Sequence, residues 1–498
     1  MTYARHHEAK WCAALTFVAL LSQLTACSEE APEPKYSVER LMKPETCAEC
    51  HPNHYREWSG SMHAYAGVDP VFLAMNRRGQ EETNGALGDF CVKCHAPLAV
   101  AMGATTDGLN LTELEPELVG VGCYFCHNVK AVEGTHNNPL VLAFDDTLRG
   151  GIADPAPSRA HHTAYSPLMD GDRLESAAMC GSCHDITVPS PPGAAEVALE
   201  RTFAEWQASL FNADPTRGGL TCSSCHMPSR RGLAADEPGV PQRRVHAHGF
   251  PAVDIALTPF PEREQQRAWV QRELDATLRA ELCVAELVDG AVMELVLENV
   301  SAGHRFPSGA AHDRRVWVEL IALAGDREVY QSGVIADDAP LSTLSDPDLW
   351  QLRDFTFKTD GSPAHMFWDV ARIEPATIPG PLTFNRADPD FFATHVARRY
   401  PRASSTPNQL MEAPDRVRVR VRLRPMGLDV LDDLVASGHL DRSIRNAMPV
   451  FNLGTVTSQD GDPVAVEWTR ERSEDPVLGS RRELAGVLAR CVSSAPQR

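Results

Sequence analysis

The sequence predicts two unlike halves: an α-rich first half with little regular secondary structure, and a mostly β, sandwich-like second half. Three observations carry that expectation. Five Cys-x-x-Cys-His segments fall between residues 47 and 226, and none follows. The region around them is rich in Gly, Pro, Ala and His and has few long periodic stretches. Beyond about residue 285, apolar residues instead recur at every second position, the period of a half-buried strand.

The chain opens with a secretory pattern. Arg5 and Lys10 precede an apolar run from Trp11 to Leu21, and small residues lead into Leu24-Thr25-Ala26-Cys27. The run is too short to cross a bilayer as a stable helix and fits a cleaved signal. Leu-Thr-Ala-Cys resembles the bacterial lipobox, which implies a lipoprotein signal peptide over residues 1–26 and a mature chain that begins at an acylated Cys27. Residues 27–44, Pro- and Glu-rich, read as a tether. Each buried acyl methylene contributes about 0.8 kcal/mol, so more than one chain on Cys27 would give lasting attachment.

The five motifs are Cys47–His51, Cys91–His95, Cys123–His127, Cys180–His184 and Cys222–His226. Two thiols at this spacing form thioethers to the vinyl groups of one haem, and the adjacent His ligates its iron. Composition alone gives roughly 0.015 copies per chain. A single Cys-x-x-Cys would equally suit zinc or a dithiol redox site, but five copies with His at the same place do not. Residues 45–260 are therefore expected to form a haem-packed pentahaem c-type domain. Five covalent haem c groups would sit on Cys47 and Cys50, Cys91 and Cys94, Cys123 and Cys126, Cys180 and Cys183, and Cys222 and Cys225. His51, His95, His127, His184 and His226 would be the proximal ligands. The motifs recur at irregular intervals, which excludes a regular repeat array. Of the 14 cysteines, Cys283 and Cys491 lie outside both signal and motifs; they either pair or stay as separate thiols.

Residues 261–285 are expected to be a connector helix, because Trp269, Leu274, Leu278 and Leu282 recur at helical spacing among charged residues. From residue 286 to 498 the expectation is a β domain. Met293, Leu295 and Leu297 alternate with Glu294 and Glu298; Val316, Val318 and Leu320 form a second run. Val417, Val419, Val421 and Leu423 alternate strictly with Arg416, Arg418, Arg420 and Arg422. Gly461-Asp462 reads as a turn into Val464–Trp468, and Leu428–Asn446 as a helical insertion.

A haem with one protein ligand can bind an external molecule, whereas one with two mainly passes electrons. Two of the 19 histidines lie in the signal and five in the motifs, leaving twelve for second ligands. The segment from Cys47 to Ala64, with His51-Pro-Asn-His54-Tyr55-Arg-Glu-Trp58 and Ser61-Met-His63-Ala64, resembles the multihaem cytochrome family that includes the nitrifier-type tetrahaem cytochrome c. The resemblance continues through Phe90-Cys91, Gly122–His127, His161-His162-Thr-Ala-Tyr-Ser-Pro before Cys180–Asp185, and Glu205-Trp206 before Cys222–Pro228. It covers roughly residues 44–250, although this chain has one motif more than the tetrahaem member. The resemblance implies His63 as a distal ligand, and one of His161 and His162, with His162 favoured. His248, in Val-His-Ala-His-Gly-Phe, is expected to cap a haem from a returning loop; His246 is its neighbour. His304 lies in Ala302-Gly-His-Arg-Phe-Pro-Ser-Gly309, a pattern associated with haem-free domains at the end of similar cytochromes. It is either a ligand donated across the domain boundary or a structural residue of its own turn.

These readings favour an exported pentahaem electron carrier over an enzyme. It would be lipid-anchored to a bacterial membrane, would face the periplasm or cell surface, and would serve redox partner proteins. The alternative is a multihaem oxidoreductase acting on a small nitrogen or sulfur compound at one five-coordinate haem. The formal net charge of −20 argues against nucleic-acid binding and suits basic redox partners.

Overall fold

The computed structural model describes residues 35–188, 196–402, 412–454 and 456–494. The signal segment and Cys27 lie outside the described residues. In the first half, helices are short and each motif sits on or beside one: Pro44–Ala48, Val92–His95, Cys123–His127, Glu175–His184 and Cys222–His226. A helical turn places i and i+3 on one face with i+4 beside them, so both thiols and the His of a motif converge on one spot. Small ribbons fill the gaps. Val129–Val132 pairs with Leu140–Leu142, Thr147–Gly150 with His162–Tyr165, Asp185–Val188 with Val197–Arg201, and Ser229–Leu233 with Gln242–His246. The apolar side chains here gather in several small clusters rather than one core.

Part of the expected tether is folded. Ser37 caps a helix over Val38–Met42, accepting from Arg40 N. Leu41 and Met42 are buried there against Leu98, Tyr124 and Phe125. Those two apolar residues, outweighed in composition by Pro and Glu, were enough to dock the segment.

The connector helix is also shorter than expected. It spans Arg263–Thr277, and Leu278–Leu287 is a strand. Leu278 and Leu282 are four apart, which fits a helix. They are equally part of the alternating set Leu278, Ala280, Leu282, Val284. Pairing on both sides, with Gly290–Asn299 and Val487–Ser493, decides for the strand.

Among the described residues the second half is built on two large antiparallel sheets, with two small two-stranded ribbons beside them. One has the order His395–Tyr400, Gly290–Asn299, Leu278–Leu287, Val487–Ser493, Gly479–Leu484. The other has Arg327–Ser332, Arg315–Ala324, Arg416–Arg424 and Phe451–Leu453, with Trp350–Leu352 and Val466–Thr469 joined to its middle strands. Met293, Leu295 and Leu297 from the first sheet share one core with Val316, Val318, Leu320, Val417, Val419, Val421 and Leu423 from the second. The intervening Arg side chains are paired on the opposite face: Arg420 and Arg422 meet Glu319, and Arg416 meets Glu467 and Asp460. Helices Leu428–Ala436 and Arg442–Asn446 form the insertion. Cys283 and Cys491, opposite each other on adjacent strands, are joined by a disulfide.

The two halves share packing. Ile255, Val270 and Leu274 belong to the same core as the two sheets. Ion pairs Arg201–Asp354 (2.6 Å) and Arg314–Asp254 (2.6 Å) also cross between them.

Candidate functional site

Four of the five motif histidines face a second histidine. Ring centroids are 6.4 Å apart for His51 and His161, 6.3 Å for His63 and His184, 6.3 Å for His127 and His248, and 6.4 Å for His226 and His304. A metal–imidazole bond is about 2 Å long, so two imidazoles on opposite sides of one metal have centroids roughly 6 Å apart once each ring's half-width is added. The four spacings match that requirement and one another, which makes the donor set fit iron held between paired imidazoles.

Most of these rings are held in one orientation by the nitrogen that faces away from the metal position. Nδ1 donates to a backbone carbonyl in His51 (Ala234, 2.6 Å), His127 (Arg149, 2.6 Å), His226 (Pro251, 2.7 Å), His161 (His162, 2.8 Å), His248 (His246, 3.0 Å) and His304 (Arg305, 2.7 Å). That tautomer leaves the Nε2 lone pair free for a metal, the usual outer support of a histidine ligand. Burial pushes His63 down to about 3 and His184 and His304 to about 4, and it lowers His127, His161 and His248 as well. Burial thus favours the neutral form of these six imidazoles, which keeps a ring lone pair for a metal.

His95 is different. Its Nδ1 donates to Ala66 O (3.0 Å), like the others, but its ring stacks on Phe72 with centroids 4.0 Å apart. Among the described residues it has no imidazole partner at the 6.3–6.4 Å spacing of the other four.

The distal candidates fall as follows. His63, on the short helix Met62–Tyr65, faces His184 rather than its own neighbouring motif. Its carbonyl accepts from Val121 N (2.9 Å). The adjoining Gly120 has φ +82°, and a Cβ there would lie 2.8 Å from Ala64 O, so only glycine lets the two segments approach. His248 faces His127, and His304 reaches His226 from the second half. His162, favoured over its neighbour in the sequence, has its Nδ1 engaged by a carboxylate. It pairs with Asp146 (2.9 Å), half-exposed, and His161 takes the place opposite His51. The strand His162–Tyr165 starts at that residue and pairs it with Thr147, and successive side chains of extended backbone point to opposite faces, so His161 and His162 do not share a direction. His246 donates to Met227 O within its hairpin. His54 packs edge-on against His248 (4.8 Å) and near His51 (6.1 Å), a third imidazole between two centres.

The ten motif thiols carry no disulfide. Thiols of different motifs lie against one another: Cys47 against Cys123, Cys94 against Cys183, and Cys180 against Cys222. Phe250 touches both His63 (4.4 Å) and His248 (5.8 Å), linking the centres of the fourth and third motifs. Phe72 and Phe250 had no signal in the sequence, because an aromatic becomes a neighbour of a ligand only through the tertiary fold.

Residues 46–128 match the family model for cytochrome c554 and c-prime. The fold is similar to that of a penta-heme cytochrome c552 from Thermochromatium tepidum, with a TM-score of 0.56 over 85% of this chain and 98% of that one, at 19% identity. No curated protein matches the chain.

Proposed function

We propose that this chain is an extracytoplasmic pentahaem c-type cytochrome. It carries electrons between redox partners at a bacterial membrane, to which lipid on Cys27 anchors it. One observation carries this reading: four motif histidines each face a second histidine at the spacing a single iron requires. When bound, haem c supplies one-electron storage at the iron. The protein's part is to hold both axial imidazoles neutral and oriented, so that little rearranges when charge changes. His161, His63, His248 and His304 would be the distal ligands of the first, fourth, third and fifth haems. The thiol contacts support a path from the first motif to the third and on to the fourth, with the second and fifth both beside the fourth. The likeness to the nitrifier-type cytochrome and the fifth haem both belong to this proposal. So do the basic partners suited to the acidic chain.

A second reading rests on His95. A haem on Cys91 and Cys94 would have His95 as its single imidazole, leaving the opposite face for a small nitrogen or sulfur compound. Phe72, stacked on His95, would fix the ring without ligating. Purified protein tests both readings. Mass spectrometry should show five haem groups. Spin-state spectroscopy should show four low-spin haems and one high-spin haem that binds carbon monoxide once reduced. Five low-spin haems would remove the enzyme reading, and a majority of high-spin haems would remove the paired-ligand reading.

A further inference from the structure

Two Glu-Trp pairs, each with one member buried and the other half-buried, sit at matching places in the first half. Helix Pro52–Ser59 carries Glu57-Trp58, and helix Thr202–Gln207 carries Glu205-Trp206. The Trp58 indole donates to Val121 O (2.8 Å), two residues before Cys123. The Trp206 indole donates to Leu220 O (2.9 Å), two residues before Cys222. The neighbouring carboxylates reach the other side of the same centres. Glu57 accepts from the backbone N–H of His248, which faces His127 (2.9 Å). Glu205 accepts from Arg305 N (3.3 Å), next to the His304 that faces His226, and from Ser308 Oγ (2.6 Å). Thr202 on the same helix accepts from Gly309 N (3.0 Å).

The geometry points to each Glu-Trp pair being a two-sided clamp, in which Trp holds the segment bearing the haem-attachment Cys and Glu holds the segment bearing the opposing His. Glu57-Trp58 serves the third centre and Glu205-Trp206 the fifth. This rests on the ligand reading proposed above and extends it to residues that never touch the iron: they are positioning residues. The same dipeptide, the same two-residue offset to the first Cys and the same attachment at or beside the distal His recur at both sites. A carboxylate merely finding some partner would not reproduce all three. The one other Glu-Trp in the chain, Glu467-Trp468, lies in a strand of the second half and serves the ion pair with Arg416. Both carboxylates have little contact with water, their side chains being 7% and 10% exposed, so each is committed to its bonds. The clamps also join centres. The first helix begins directly after His51, and the second is capped by Asp185, the residue after His184, through Phe203 N (2.7 Å). At the fifth centre the clamp ties a ligand from the second half to the first, whereas Asn299, which donates to His304 O (2.9 Å), holds it within its own half.

The test compares His304→Ala, Glu205→Ala and Glu205→Gln in the full, haem-loaded chain. The readouts are the number of high-spin haems and carbon monoxide bound per chain after reduction. His304→Ala should add one high-spin, carbon monoxide-binding haem. Glu205→Ala should add the same haem, and the double variant should add no second one. Glu205→Gln should return the spectrum towards wild type, since its amide oxygen still accepts the Arg305 N–H. If His304→Ala adds a high-spin haem and Glu205→Ala does not, the clamp is refuted while the ligand reading stands. If His304→Ala itself changes nothing, the ligand reading fails and the clamp at this centre falls with it. Should Glu205→Ala not mature with five haems, Trp206→Phe decides. The low-spin electron paramagnetic resonance signal that His304→Ala abolishes should then shift, and an unmoved signal overturns the clamp.

Discussion

Replacing His161 and His162 separately tests the proposal that these two adjacent residues do different jobs. His161 lies 6.4 Å from His51, ring to ring, with its Nδ1 committed to the His162 carbonyl. His161→Ala removes the imidazole that lies parallel-tilted opposite His51, whereas His54 meets that ring edge-on, so one of the five proposed irons should lose its second ligand. About a fifth of the haem should therefore change from low to high spin, and the reduced protein should bind about one more carbon monoxide per chain. His162→Ala removes the contact with Asp146, whose side chain is 35% exposed against 43% for His162. An exposed pair of that kind contributes about 0–1 kcal/mol, and the backbone bond from His162 N to Asp146 O survives the change. The spin states should then stay as in wild type, with at most a small loss of stability. Magnetic circular dichroism in the near infrared and carbon monoxide titration both read the difference. Added imidazole should restore the low-spin state of His161→Ala by filling the vacated position. A new high-spin haem in His162→Ala, with none in His161→Ala, would refute the assignment and with it the register argument for the strand His162–Tyr165.

Two further outcomes follow from other parts of the chain. Glu319 is buried and holds both Arg420 and Arg422, so Glu319→Ala takes from the buried Arg422 one of its two carboxylates and leaves it Asp337. Losing one such buried partner costs about 1–3 kcal/mol, which should lower the thermal midpoint of the second half while haem spin states at 25 °C stay unchanged. Cys27→Ser should release the protein from the membrane fraction with its haem content intact, and continued membrane retention would count against lipid attachment.

Much of the fold was legible because its signals are local. The alternation over Arg416–Leu423 reports a strand wherever that strand pairs, since period two puts one set of side chains on each face. The same logic failed at Leu278–Leu287, where the spacing satisfied both periods and only the partners on either side discriminated. It failed again at Leu41 and Met42, which found a pocket beside Tyr124 and Phe125 that no local pattern announces. His63 lies near the first two motifs in the chain and yet faces the histidine of the fourth.

By itself the sequence determined which atoms are available for haem. A thioether pair and its adjacent His are a covalent, short-range unit, complete within five residues. It also determined that a second, alternating half carries no such unit. Only the tertiary structure decided how the imidazoles are matched: His161 opposite His51, His63 with His184, His304 from across the boundary, and, among the described residues, Phe72 rather than a second imidazole against His95. Matching requires two rings to meet across about 6 Å from opposite directions. That distance depends on how separate segments pack, on strand register and on bonds such as Glu57 to His248, none of which is encoded in the spacing along the chain.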